Sequence, residues 1–275
     1  MHDLLSALPS LSVTSWLLVI AGALVVGFSK TALPGGGTIA VGLFALALPA
    51  KESTAALLFL LIVGDVTALI AYRRDPDWRT LVRLIPGVVV GLALGAVFLA
   101  LADADSVRRG ISVILLALVA VTAWRRRSAR RRANTGVMAD TGDTQASAGG
   151  SAAELPQPGR AVRAGYGALG GFTTMVANAG GPVMSMYFYA MRMPVVTFLG
   201  TAAWFFAIVN VLKLPFSAGL GLVRADLLLM DALLVPLVIL AAGAGRRIAG
   251  IVPQHVFENA VLVLTVLASL ALLVI

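Results

Sequence analysis

Long apolar blocks separated by short polar gaps run the length of this chain. A helix needs about 20 apolar residues to cross a bilayer. On that rule five segments fall in the first half, at about 11–29, 33–50, 53–72, 80–102 and 107–124. Five more fall in the second, at about 162–179, 182–193, 195–218, 226–250 and 254–275. The segment at 182–193 is too short to cross as a regular helix, and the one at 33–50 is marginal and begins with Pro and Gly. The pattern predicts an all-α, polytopic transmembrane bundle with about 8–10 membrane segments, two of them short or broken. Between the halves, Arg131–Arg160 is polar and rich in Gly, Ser, Ala and Pro. It cannot bury enough apolar surface to offset the entropy of ordering. The expected division is a first membrane repeat at 1–124, a disordered Arg-rich linker at 125–160 and a second repeat at 161–275.

The two halves look like copies of one unit. "GFSKTALPGGG" (Gly27–Gly37) answers to "GFTTMVANAGG" (Gly171–Gly181), so that Gly27, Phe28, Gly36 and Gly37 meet Gly171, Phe172, Gly180 and Gly181, while Thr31 meets Met175. Further on, Pro49 falls on Pro194 and Asp65 on Asn210. Later still, Pro86, Gly91 and Gly95 fall on Pro236, Ala241 and Gly245. Many transporters are two repeats around a central site, with broken helices at the repeat interface.

Composition agrees with a membrane protein. The chain is 59% hydrophobic and 12% charged, against about 25% charged for soluble domains. Its net charge of +8 is unevenly placed, with six arginines in "RRRSARRR" (Arg125–Arg132) directly after an apolar segment. That is the mark of a cytoplasmic loop that sets orientation. No nucleic-acid-binding motif accompanies it. The absence of cysteine removes disulfides and thiolate metal sites. "MHDLLSALPS" lacks the basic start of a cleaved signal, so the first segment is expected to stay. With five segments per half the repeats are inverted. Lys30, the arginines of 73–83, the linker, Arg192, Arg246 and Arg247 then face the cytoplasm, and Lys51, Arg108, Arg109 and Arg224 face out. With four spans per half the repeats are parallel. Positive-inside counting favours the inverted arrangement.

The chemistry-bearing positions gather at the two Gly-rich interruptions, "ALPGGGT" and "VANAGGP". Irregular backbone survives at membrane depth only where protein or a water-filled cavity satisfies it. A helix starting just after such a break presents free N–H groups and the positive end of its dipole, which suits a small oxyanion. The alternative is that these glycines serve close helix packing. Lys30 is the natural counter-charge, unless it only reaches for the interface. Asp65 is expected to face the interior, as a coupling or gating group or in a fixed salt bridge. Lys213, one turn beyond Asn210, is placed to balance Asp65 or attract substrate, unless it too only reaches for the interface.

Candidate substrate-binding residues are therefore Lys30, Thr31, Gly35, Gly36, Gly37, Thr38, Asn178, Gly180, Gly181 and Asn210, with Asp65 and Lys213 for coupling or gating. Other polar residues have plainer readings. Glu52, Ser53 and Thr54 look like a helix start, and Asp226 and Asp231 fall in an N-terminal turn. Gly91 with Gly95, and Gly167 with Gly171, read as packing pairs, and Trp16, Trp78 and Trp124 as interfacial aromatics. His255 has no partner histidine or cysteine, so no metal is expected, and no cofactor either. There is no nucleotide-binding G-x-x-x-x-G-K-[ST] and no hydrolase pattern, so the chain reads as neither an ATP-driven pump nor an enzyme.

These elements, "GFSKTALPGGGTIAVGLFALALP" and "GFTTMVANAGGPVMSMYFY", flanked by "STAALLFLLIVGDVTALIAYRR" and "GTAAWFFAIVNVLKLPF", resemble the TauE/SafE, or sulfite exporter, family. The resemblance covers both apolar halves and excludes the linker. It implies a multi-pass permease of a bacterial-type inner membrane, acting on sulfite, sulfonates or related small organic anions. The family's repeated Gly-rich motif maps onto Pro34–Thr38 and Asn178–Pro182, with Thr174 where the first copy has Lys30. The expected function is secondary transport, most naturally export, of a small anion by alternating access. The alternatives are a non-transporting scaffold or channel-like subunit, and cation transport with Asp65 as ligand, against which the basic residues near the breaks weigh. Expected partners are the anionic solute and the lipid bilayer, with no nucleic acid and homo-oligomerisation left open.

Overall fold

The computed structural model describes residues 8–32, 37–136, 159–191, 193–248 and 254–274. They form ten helices and no strand. The first five are α1 (Val13–Ala32), α2 (Gly37–Ala47), α3 (Ala50–Tyr72), α4 (Trp78–Leu101) and α5 (Ala104–Gly136). The second five are α6 (Arg160–Ala177), α7 (Gly180–Ala190), α8 (Val195–Gly219), α9 (Ala225–Ile248) and α10 (Gln254–Val274). Each apolar block of the sequence has its helix, with ends moved by a few residues except at the close of α5. Six helices are long and apolar enough to cross a membrane: α1, α3, α4, α5, α8 and α9. The two segments expected to be short, α2 and α7, have 11 residues each.

Local chemistry sets several helix starts. Pro49 and Pro194 precede α3 and α8 with φ near −52° and −54°, where their missing N–H costs nothing. Asp77 caps α4, accepting from the Thr80 amide at 3.0 Å and the Thr80 hydroxyl at 2.6 Å. At its far end α5 differs from expectation. The helix continues through the arginine run to Gly136, because Arg and Ala are strong helix formers and need no apolar partner to continue one. The rest of the expected linker, 137–158, lies outside the described residues.

The halves interlock. The closest pairings are α4 with α6 and α1 with α9, each joining one half to the other. In the first, a Cβ on Gly171 would sit 2.3 Å from the Val88 carbonyl oxygen and one on Gly91 2.0 Å from that of Ala168. Gly95 is covered by Met175 and the Phe172 carbonyl. In the second, a Cβ on Gly27 would meet the Val238 carbonyl oxygen at 2.1 Å, and Gly245 is covered by Thr31 and the Phe28 carbonyl. Of the packing pairs read from the sequence, Gly91, Gly167 and Gly171 thus lie against backbone of the facing helix, as small residues allow in membranes, and Gly95 lies under the Met175 side chain. Contacts advance in step along both pairs, so each pair is parallel. By contrast α3 and α8 cross antiparallel: Asp65 meets Asn210 at one end of the contact and the Tyr72 carbonyl lies against Gly200 at the other. One apolar core runs through both halves, with Val26, Phe44, Met175 and Phe188 fully or almost fully buried.

Charge divides by end. Arg73, Arg74, Arg79 and Arg83 join the end that holds the close of α5 and the start of α6. The Trp78–Trp204 ring pair at 5.0 Å and the Trp204 indole bond to the Arg73 carbonyl at 3.3 Å tie α4 to α8 there. At the other end Arg224 bonds Glu52 at 3.0 Å and Asp226 at 2.8 Å, bridging the starts of α3 and α9.

Asp231 departs from its expected place. It is not in the first turn of α9 but six residues after its start, 3% exposed, with neither carboxylate oxygen hydrogen-bonded. The signal was in the sequence: Leu227, Met230, Leu234 and Val238 share its helical stripe, and all are buried.

Candidate functional site

Both Gly-rich interruptions open onto one cavity of about 160 Å³. From the first come Ser29, Lys30 and Thr31 at the end of α1 and Gly37 and Thr38 at the start of α2. From the second come Thr174, Asn178, Gly181 and Pro182, around the end of α6 and the start of α7. The α3–α8 crossing supplies Asp65, Tyr72, Phe206 and Asn210. Of the residues expected at the site, Lys30, Thr31, Gly37, Thr38, Asp65, Asn178, Gly181 and Asn210 are brought together. Gly35 and Gly36 lie outside the described residues. Lys213 is not in the cavity wall but directly behind it, against Thr174 and Asn178.

The glycines of the second break have different tasks. A Cβ on Gly180 would lie 3.0 Å from the Thr174 Cβ and 3.1 Å from the Gly170 carbonyl oxygen, so Gly180 serves packing. Among the described residues, one on Gly181 would meet nothing nearer than Phe206 at 4.0 Å, and one on Gly37 nothing within 4 Å. These two keep space at the first turns of α7 and α2. Ahead of α7, Ala179 has no side chain able to cap the helix amides.

The walls carry a connected polar network. Lys30 Nζ donates to Asp65 Oδ1 and lies 5.1 Å from the centre of the Phe206 ring. Asp65 Oδ2 accepts from Asn210 Nδ2 at 2.6 Å, which leaves Asn210 Oδ1 buried without a donor. The Lys30 side chain is 16% exposed, Asp65 only 2%. Asn178 closes α6 in the left-handed region at φ 49°, a conformation that Asn tolerates well. There its Nδ2 donates to the Thr54 carbonyl at 2.9 Å, and its Oδ1 accepts from Lys213 Nζ. Lys213 Nζ also donates to the Thr174 carbonyl at 2.7 Å. Lys213, 1% exposed, is therefore held by neutral acceptors and the negative end of the α6 dipole, not by a carboxylate. Thr174 stands where the first break has Lys30, and the Lys213 amine reaches the Thr174 carbonyl from α8.

Sequence reasoning passed over several wall residues. Tyr72 donates its hydroxyl to the Thr31 carbonyl at 2.8 Å and braces the end of α1. Ser29, Ser185 and Phe206 line the cavity from within apolar runs where no local pattern marks them. Among the described residues no group of three or more His, Cys, Asp or Glu comes together as a metal site would need.

A bundle of apolar spans interrupted where polar groups meet inside it defines a multi-pass membrane protein of the transport class. Residues 19–272 match the sequence pattern of the sulfite exporter TauE/SafE family, and the chain belongs to that family. It is accordingly a membrane permease and not an enzyme. No curated protein and no solved structure matches it.

Proposed function

We propose that this protein is a secondary transporter that moves a small anion, such as sulfite, a sulfonate or a related organic anion, by alternating access. The observation that supports this best is that residues flanking both interruptions converge on one cavity where basic side chains outnumber carboxylates. Lys30 in the wall and Lys213 behind it are two basic groups against the single carboxylate of Asp65. An anion entering beside Lys30, the first amides of α2 and α7, Asn178 and Asn210 would balance that excess in a poorly hydrated site. A cation would add to it. Leu61, Ala202 and Phe206 give the cavity an apolar side for an organic tail.

The two halves act as inverted repeats. In support, the equivalent glycines Gly27 and Gly171 approach the equivalent carbonyls of Val238 and Val88, and Asp65 meets its own counterpart Asn210 in an antiparallel crossing. That is the arrangement of a two-fold axis lying across the helices. The positive-inside rule supports a cytoplasmic place for the arginine-rich end and the linker, and membership of the sulfite exporter family supports export across an inner membrane.

Purified protein in liposomes, tested with sulfite, alkanesulfonates and short carboxylates with and without a pH gradient, decides the matter. The expected result is saturable flux of at least one of these anions, lost in Gly181→Leu although that variant still inserts and folds. Absence of flux for every anion in the panel would refute the transport reading and leave a scaffold.

A further inference from the structure

Asp231 is a buried ionisable side chain for which the anion cavity has no use. It shares no wall with that cavity. It is 3% exposed, and neither of its oxygens has a hydrogen-bond donor. An ionised carboxylate without donors or a counter-charge does not persist in such surroundings.

The neighbouring helices supply no counter-charge. α9 packs chiefly on α1 and α3. Val238 lies against Gly27, and Ala242 accepts from the Thr31 hydroxyl, so the parallel run of the two helices puts Asp231 level with Val19–Ala23. That stretch of α1 is wholly apolar. The single charged residue of α1, Lys30, lies ten positions further on, about 15 Å along the axis at ~1.5 Å per residue. On α3 the charged residues are Lys51 and Glu52 in the first turn and Asp65. Asp65 is held by Lys30, and Glu52 by Arg224. On α9 itself, Asp226 is also held by Arg224, and Arg246 and Arg247 stand at the opposite end.

We infer that Asp231 is a proton-binding site, separate from the anion cavity, that holds a proton while α9 is packed on α1 and α3 as seen here. A sodium ion would need several oxygens converging on one point, and a carboxyl group with no hydrogen-bond partner among the described residues does not supply them. A proton needs only one. The reaction is the simple equilibrium between carboxylic acid and carboxylate plus H⁺. Its route to water runs about one and a half turns along α9 to the Arg224–Glu52–Asp226 cluster, so release follows when that end opens. Because α9 and α1 meet closely at Gly27 and Gly245 and are tied by the Thr31 hydroxyl bond to the Ala242 carbonyl at 2.8 Å, movement of one carries the other, and Lys30 rides at the end of α1. This second part rests on the transport reading; the proton site itself does not.

Infrared spectroscopy of the whole protein in lipid tests the site without any solute. The wild type should show the carbonyl stretch of a protonated carboxylic acid at neutral pH, lost in Asp231→Asn and restored, shifted in frequency, in Asp231→Glu. A spectrum unchanged by Asp231→Asn overturns the proposal. If Asp231→Asn fails to fold, Asp231→Leu, which removes the polar group altogether, provides the same comparison. Coupling is read in liposomes with methanesulfonate, whose own charge is constant across this pH range. Asp231→Asn should lose the accompanying proton flux while methanesulfonate exchange persists, and proton flux equal to wild type overturns the coupling role. Should methanesulfonate not move through the wild type, the transport reading loses that substrate, and the infrared result still decides the proton site.

Discussion

In the α1–α9 pair, Gly27 approaches the Val238 carbonyl and Thr31 covers Gly245; in the α4–α6 pair, Gly171 approaches the Val88 carbonyl and Met175 covers Gly95. The scaffold contacts are thus alike in the two pairs. The polar ends they carry are not. In the first half an ammonium on α1 meets a carboxylate on α3. In the second, the Lys213 amine on α8 meets a carbonyl and an amide at the end of α6. Close approach at the glycines recurs in both pairs, whereas the basic side chain beside each interruption arrives by its own route.

The largest effect should come from splitting the ion pair. Lys30→Met leaves Asp65 buried with Asn210 as its one remaining partner, and a loss of about 3–5 kcal/mol is expected. Thermal unfolding in detergent or lipid measures it. The double variant Lys30→Met, Asp65→Leu should recover most of that stability yet remain inactive in flux, because replacing both members of a buried pair is close to neutral. In the second half, Lys213→Met leaves only neutral acceptors unsatisfied and should cost about 1–3 kcal/mol. Equal costs for Lys30→Met and Lys213→Met would erase the proposed difference between the halves.

Next come the glycine contacts. Gly27→Ala and Gly171→Ala each push a methyl group into a backbone carbonyl, and each should cost about 1–3 kcal/mol by overpacking. Costs of the same size sharpen the claim of equivalence, and a tolerant Gly27 beside an intolerant Gly171 breaks it. Smaller in stability but decisive in flux is Gly181→Leu, which fills the cavity toward Phe206 with little change in unfolding temperature. Gly180→Leu, against Thr174 and the Gly170 carbonyl, should instead lower that temperature. The smallest effect is expected for Arg224→Gln at the exposed cluster with Glu52 and Asp226. Its influence on unfolding should fade as salt is added, since surface pairs are screened.

Much of the fold could be read from hydropathy, because a span must be apolar over its whole length and leaves a long signal. The interruptions could be read too, since Pro and Gly clusters inside such blocks need a structural excuse. The end of α5 could not be read the same way: apolarity stops at Trp124, but helicity depends on propensity and continues to Gly136. Asp231 was misplaced because Arg224 and Asp226 mark a helix start nearby, and proximity to that start masked the 3–4 spacing that buries it. The partners of Lys213 were beyond reach for another reason. They come from the end of α6, and only the folded chain brings Thr174 and Asn178 to α8.

The Lys30–Asp65 pair has a bearing on the empty carrier. A transporter that must carry a bare ammonium back through its closed state meets a desolvation barrier on every return stroke, and exchange of one solute for another is then its easiest cycle. On the transport reading proposed above, Asp65 stands in for the cargo when the cavity is vacant, and the protein resets unloaded. Net efflux into a solute-free compartment should therefore run at a rate comparable to exchange, and slow selectively when Asp65 is replaced by Asn.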